Sequence, residues 1–267
     1  MRNLFDTPQM AAGYATSRPA IHPQLIERMR DRLAGSPRIR WALDVGCGAG
    51  LSTAPLERIA QCVIGIDPSI EMLRCARTVA PGALFAAASA EALPVPGEFV
   101  DLITAAGSLN SADLTRFFPE ARRVLTPAGR LIVYDFQTGR DFRDSAQLSR
   151  WFDEFERRYP WPPSRDITPE SLVLSPFGLR ASGHERFEIA LTLSPDEYLR
   201  YVLTETNVAA AIQRGYGAQE IRAWCEQTLA HAFPRPAEVL FRGYICYIEK
   251  TEWERYDRIE NQGDKLS

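Results

Sequence analysis

Lysine is almost missing from this chain: of 31 basic residues only Lys250 and Lys265 are lysines, so nearly every positive charge is an arginine. Positive charge does not accumulate either, because 34 acidic residues leave a formal net charge of -3. A nucleic-acid backbone is bound by clustered Lys and Arg that displace condensed counterions, so no nucleic acid is expected as a partner. The cysteines Cys47, Cys62, Cys75, Cys225 and Cys246 contain no C-x-x-C pair and no paired framework. This argues against a secreted disulfide scaffold and for a reducing, cytoplasmic setting. Histidine is scarce, and Cys225 with His231 reads as a buried thiol and a helix-end histidine, so no metal is expected. No apolar run approaches ~18 residues and the N-terminus lacks a signal-like core, which excludes a membrane partner at the level of sequence. Internal repeats and low-complexity tracts are absent as well.

What is present is an alternation of short apolar runs and amphipathic stretches, with 45% hydrophobic residues to fill a core. Residues 1 to 21 read as polar and irregular, and Leu25, Ile26, Met29 and Leu33 then recur at helical spacing before Gly35-Ser36-Pro37. Strands are expected at Trp41 to Val45, Cys62 to Ile66, Leu84 to Ala87, Val100 to Thr104 and Leu131 to Phe136. Helices are expected after Gly50 as far as Ile59, from Ser69 to Val79, and from Phe118 to Leu125 with Pro119 at the first position. This rhythm predicts a doubly wound, Rossmann-like, mostly parallel α/β sheet of seven strands with an antiparallel edge strand, Phe241 to Ile248. Right-handed crossovers would gather every strand's carboxyl end along one crevice.

The division expected is a leader and helix over residues 1–35, a nucleoside-binding core over 36–139, helical lid insertions with the last two strands over 140–250, and a polar tail over 251–267. In the third part, Trp151, Phe152, Phe155 and Tyr159 share a helix face that could close over a substrate or pack as core. A capping box, Ser194-Pro195-Asp196-Glu197, opens a later helix, and the polar cluster Thr204-Glu205-Thr206-Asn207 interrupts its apolar run.

The most specific signal is Asp44-Val45-Gly46-Cys47-Gly48-Ala49-Gly50 followed by Gly65-Ile66-Asp67. Glycines at alternate positions let the chain turn off a strand and let a ligand lie on bare backbone. Asp67, at the end of the next strand, is placed to accept hydrogen bonds from a ribose diol. A dinucleotide fingerprint would carry glycine or alanine after Gly50, where this chain has Leu51, so a nicotinamide-dependent oxidoreductase is disfavoured. Asp44 reads as a structural carboxylate, and Cys47 as a small residue in a tight turn.

The Asp-x-Gly-x-Gly-x-Gly spacing resembles motif I of class I S-adenosylmethionine-dependent methyltransferases, of the methyltransferase type 11 kind. The resemblance continues through Ile64 to Ser69 with Met72, through Ser89-Ala90-Glu91-Ala92-Leu93-Pro94, through Phe99 to Ile103, and through Glu120 to Gly129. It implies S-adenosyl-L-methionine as methyl donor and S-adenosyl-L-homocysteine as product. Gly46, Cys47, Gly48 and Gly50 would line the methionine half, Asp67 would hold the ribose, and Pro68 and Met72 would flank adenine. Ser89, Ala90 and Glu91 would meet adenine's polar edge, and Ala106 would follow the fourth strand into the same crevice. Many relatives carry aspartate where this chain has Ser89. The stretch Tyr14 to Pro19 resembles the leader of the trans-aconitate methyltransferase subgroup, which implies that Tyr14 and Arg18 reach the donor's carboxylate. The acceptor is expected to be a small molecule methylated on O, N or C, by a monomer or homodimer. Asn110, Tyr14, Glu205 and Asn207 are candidates to face it. A donor-binding protein that does not methylate is the alternative on the same fold.

Overall fold

A computed structural model describes residues 6–33 and 38–251. The core is a sheet of eight strands in the order β3-β2-β1-β4-β5-β8, with β7 on the outer side of β8. The strands are β1 Ile39–Val45, β2 Ala60–Asp67, β3 Leu84–Ala87, β4 Val100–Ala106, β5 Leu125–Phe136, β6 Asp141–Phe142, β7 Leu179–Leu193 and β8 Ala237–Lys250. The first five are parallel, whereas β8 runs antiparallel to β5, β6 and β7. The mostly parallel, doubly wound sheet with antiparallel pairing at one edge is therefore as expected. The strand count rises from seven to eight because the two-residue β6 pairs with the first half of β8. Phe241 to Ile248, read as outermost, lies one strand in: β7 pairs along all of β8. Burial explains this placement, since Phe241, Ile245, Cys246 and Ile248 are fully buried, as a strand flanked on both sides requires.

The helices are α1 Pro8–Ser17, α2 His22–Arg32, α3 Thr53–Leu56, α4 Ile70–Val79, α5 Leu114–Val124, α6 Gln147–Arg158, α7 Pro195–Val202, α8 Thr206–Gln213 and α9 Ala218–Ala232. Alternation along the strands sends side chains to two cores. Ala42, Val63, Leu102 and Ile132 face α2 and the helices of the second half, whereas Leu43, Val45, Ile103 and Val133 face Phe117, Phe118, Ala121 and Val124 of α5.

Four local expectations need correction. Residues 8–17 are a helix rather than irregular, because Thr7 caps Met10 N–H and Pro8 suits the first turn. The helix after Gly50 is only the four residues of α3, ended by turns through Ile59. Helix α5 starts at Leu114 under an Asp113 cap, so Pro119 sits inside it, not at its start. Pro127-Ala128-Gly129 lies within β5 as an irregularity: Val100 pairs with Leu125 but Leu102 pairs with Arg130. The break Gly35-Ser36-Pro37 and nearly all of the tail lie outside the described residues.

Candidate active site

The glycine loop is fixed from below by a carboxylate. Asp44 is fully buried and accepts from Ser52 Oγ at 2.7 Å, Thr53 Oγ1 at 2.7 Å and Thr104 Oγ1 at 2.9 Å. It thereby ties β1, the start of α3 and β4 together, the structural role its position suggested. Burial pushes its carboxyl above the usual range, and the three hydroxyls oppose that shift. Cys47 Sγ is also buried, and burial with Asp44 and Asp67 nearby pushes the thiol strongly up, so it is not a nucleophile.

Above that anchor the loop presents backbone. Gly46 has φ +69°, and a Cβ there would fall 2.3 Å from Ser108 Cβ. Ser108, after β4, in turn donates Oγ to Val45 O at 2.7 Å, so two strand ends meet across a residue that has to be glycine. Gly48 differs: with φ +51°, its Cβ direction points into open space with nothing within 4 Å. Its N–H donates to Asp67 Oδ2 at 3.0 Å, while Asp67 Oδ1 accepts from Ser69 N–H at 2.8 Å. Burial raises the Asp67 carboxyl above its ordinary range, against those two N–H donors. Bare backbone and a fixed acceptor thus stand together at adjacent strand ends, an arrangement able to receive a nucleoside.

The other residues expected around a donor occupy different settings. Pro68 and Ser89 are exposed, and Ala90, in the turn after β3, and Ala106, at the end of β4, are half-buried. Met72 is buried with Ala11 and Ala49, which packs α1 on the glycine loop and α4. Ser69 Oγ donates to Asp6 Oδ1 at 3.1 Å, tying the residue just before α1 to the same place. Glu91 accepts from Asp113 N–H at 2.8 Å and so braces the loop before α5.

The leader and the helical half meet at a buried ion pair. Arg18 donates to Glu205 Oε1 at 3.0 Å and to Thr204 O at 2.9 Å, and its guanidinium lies 4.3 Å from the Tyr14 ring centroid. Burial works against the arginine's charge, but Glu205, Tyr14 and Tyr201 together outweigh it and hold the guanidinium protonated. Beside it, His22 Nδ1 is 3.0 Å from Tyr134 Oη; burial, then Arg18, push its pKa down to about 4. Asn207 is consumed by the fold: Nδ2 donates to Tyr159 O at 2.8 Å and Oδ1 accepts from Val208 N–H at 3.0 Å. Glu205 and Asn207 thus meet protein partners here, and Asn110 alone of the acceptor-facing candidates has a side chain with no hydrogen bond within the described residues. Asn110 lines a narrow crevice at the ends of β4 and β5 with Gly107, Asp135, Ile167 and Tyr244. Sequence reasoning missed Ser108, Asp135 and Tyr244. Asp135 could have been found by the strand-end logic that found Asp67, but Tyr244 carries no local signal.

A doubly wound sheet with a glycine loop after β1 and an acidic residue ending β2 defines a nucleoside-binding α/β protein. A family model described as a methyltransferase domain matches residues 43–133, from the strand before that loop into β5. An uncharacterised methyltransferase of Mycobacterium tuberculosis (strain H37Rv) is 33% identical over 178 residues, 60% of this chain and 70% of the relative. A demethylmenaquinone methyltransferase of Tropheryma whipplei is 36% identical over 104 residues, 38% of this chain and 43% of the relative. A solved structure assigned as a type II methyltransferase of Anaeromyxobacter dehalogenans superposes with TM-score 0.67 at 26% identity, covering 85% of this chain and 95% of that one. The chain belongs to the class I S-adenosylmethionine-dependent methyltransferases.

Proposed function

We propose that the cradle holds S-adenosylmethionine as follows, and that the methyl acceptor is a small molecule. Gly46, Cys47, Gly48 and Gly50 lie along the methionine half and Asp67 takes the ribose hydroxyls. Pro68 and Met72 flank adenine, whose polar edge meets Ser89, Ala90 and Glu91. Ala106 lies at the methyl end, and Tyr14 and Arg18 close the site from the leader. The observation that carries this reading is Gly48, whose backbone faces open space while its N–H is held by Asp67. Bound there, the donor supplies a methyl group activated by a sulfonium. The chain's contribution is alignment and water exclusion, which methyl displacement needs more than it needs an acid or base.

A small acceptor is supported by what covers the crevice. Helix α1 packs on the loop and α4, and Ile167, in the irregular stretch between α6 and β7, walls the crevice at β4 and β5. Helix α6 is built as core: Trp151 stacks on Phe155 and Trp224, and Leu148, Trp151, Phe152 and Phe155 are buried. The parts of the second half that reach the crevice are therefore the stretch after α6, through Ile167, and β8, through Tyr244. Among the described residues no helix is long and apolar enough to cross a membrane.

The experiment is transfer of isotope-labelled methyl from S-adenosylmethionine into a cell extract separated into protein, nucleic-acid and small-molecule fractions. Label is expected in the small-molecule fraction; label confined to protein or nucleic acid would overturn the acceptor class.

A further inference from the structure

Three polar side chains meet at the carboxyl ends of β4 and β5, beside the middle of the antiparallel β8. Asp135, half-buried near the end of β5, accepts from Phe136 N–H at 2.8 Å through Oδ1, and Oδ2 has no hydrogen bond within the described residues. Tyr244, its cross-strand partner on β8, is 7% exposed, and its hydroxyl is fully buried with no hydrogen-bond partner among the described residues. Asn110 completes the group. The walls between them are apolar: Ala105, Leu109, Val133 and Ile167. A buried hydroxyl without a partner is costly and rare, and folds keep such groups where a ligand uses them.

The place suits a methyl acceptor. Gly107 sits directly on Asp135, where a Cβ would come 2.8 Å from Oδ1. The next residue, Ser108, is the one that buttresses Gly46. The crevice thus adjoins the donor's glycine loop through a single residue, and Ala105 pairs with Val45 on one side and Val133 on the other. It leaves no room for a water molecule, so an acceptor enters only if its walls part. Ile167 is one of those walls, on a stretch held to the body by Arg165 donating to Ala112 O at 3.2 Å.

We propose, resting on the donor reading above, that this crevice binds the acceptor, that Asp135 is its general base, and that Tyr244 and Asn110 hydrogen-bond the acceptor's heteroatom. The substrate class follows from the charges. An anionic acceptor would face a carboxylate and needs no deprotonation, whereas a hydroxyl or amine offers a proton that Asp135 can take. The acceptor's O–H or N–H proton passes to Asp135, the freed electron pair forms the bond to the methyl carbon, and the carbon–sulfur bond breaks with its electrons left on sulfur. The proton then leaves Asp135 for solvent. Burial, with Asp166 adding repulsion against only the Phe136 N–H, pushes the Asp135 pKa up to about 6. The titratable groups facing it are Asp166 from the covering stretch and Tyr134 and Tyr244 from the sheet; the loop after β4 contributes none.

The test uses Asp135→Asn, which preserves the acceptor for Phe136 N–H, and Tyr244→Phe, which removes only the hydroxyl. Four readouts apply: melting of the ligand-free protein, calorimetric affinity for S-adenosylhomocysteine, the pH dependence of labelled methyl transfer into a deproteinised extract, and mass spectrometry of the products. The expected result is that Tyr244→Phe melts no lower than the parent and that both variants bind S-adenosylhomocysteine as the parent does. Asp135→Asn should transfer methyl about 100-fold more slowly or worse, the usual worth of a general base. The parent's rate should fall below about pH 6, and Asp135→Asn should lose that fall. Products should be methyl ethers or methylamines. Equal transfer by Asp135→Asn, an unchanged acid limb, or methyl esters as products would overturn the proposal. A Tyr244→Phe protein that melts lower would assign its hydroxyl to the fold. Failure of the parent to bind S-adenosylhomocysteine would instead overturn the donor reading, so the two failures are distinguishable.

Discussion

The Arg18–Glu205 pair joins the leader to the helical half and supports the sharpest stability prediction. The two side chains are 14% and 4% exposed, so neither charge can be rehydrated without moving α1 from α7 and α8. Removing one member of such a pair leaves a buried charge and costs ~3–5 kcal/mol, whereas replacing both by apolar groups can be nearly neutral. Glu205→Gln strands the arginine between Tyr14 and Tyr201, whose ring centroids lie 4.3 and 5.3 Å from the guanidinium. For a chain of this size ~1 kcal/mol shifts Tm by roughly 2–4 °C, so each single variant, Glu205→Gln or Arg18→Met, should melt roughly 6–20 °C lower. The double variant should recover ~2 kcal/mol or more relative to the sum of the singles, read by urea denaturation as a double-mutant cycle. Additivity within ~0.5 kcal/mol would refute the argument that the pair acts as a unit. If Arg18 also reaches the donor's carboxylate, Arg18→Met weakens S-adenosylhomocysteine binding ~tenfold or more, the worth of a charge-assisted hydrogen bond. Calorimetry with unchanged affinity would remove Arg18 from the donor site.

Further predictions follow from single contacts. Gly46→Ala should destabilise the fold by ~1–3 kcal/mol in chemical denaturation and abolish donor binding, because its Cβ would collide with Ser108 at a positive φ. Asp44→Ala leaves three hydroxyl donors without their shared acceptor and should cost ~3 kcal/mol or more by the same assay. His22 is depressed from 6.5 to about 4, so its neutral form favours folding above pH 6.5 and that contribution is lost as pH falls toward 4. The full shift is on the order of 3 kcal/mol, and the difference in urea stability between the parent and His22→Gln should shrink over that window. A difference that is constant with pH would contradict the burial argument.

The donor half was legible because its chemistry is local. Glycines at 46, 48 and 50 and an aspartate ending the next strand fix a turn and an acceptor through main-chain geometry, and those constraints show in a few adjacent letters. The parallel sheet with its strand ends along one edge followed from alternation and handedness. The misreadings were of a different kind. Helix α1 lacks a strong apolar stripe because it packs its small Ala11 against Ala49 and Met72, a contact known only once the loop is folded. Strand β8 was taken for an edge because Phe241 to Ile248 alternates and comes last among the strands, whereas the charged β7 is the one that lies outside it. The Arg18–Glu205 pair spans 187 residues, and the Asp135–Tyr244 pair depends on antiparallel register. No spacing rule reaches either.

The claim on which the rest depends is that the Gly48–Asp67 cradle holds the methyl donor. Isothermal titration of S-adenosylhomocysteine into the parent and into Asp67→Ala tests it most directly, with NAD as the control ligand. The account predicts one site per chain in the parent, no NAD binding, and a loss of ~tenfold or more in affinity on removing the carboxylate. Equal affinity in the two proteins, or binding of NAD in place of S-adenosylhomocysteine, would contradict it.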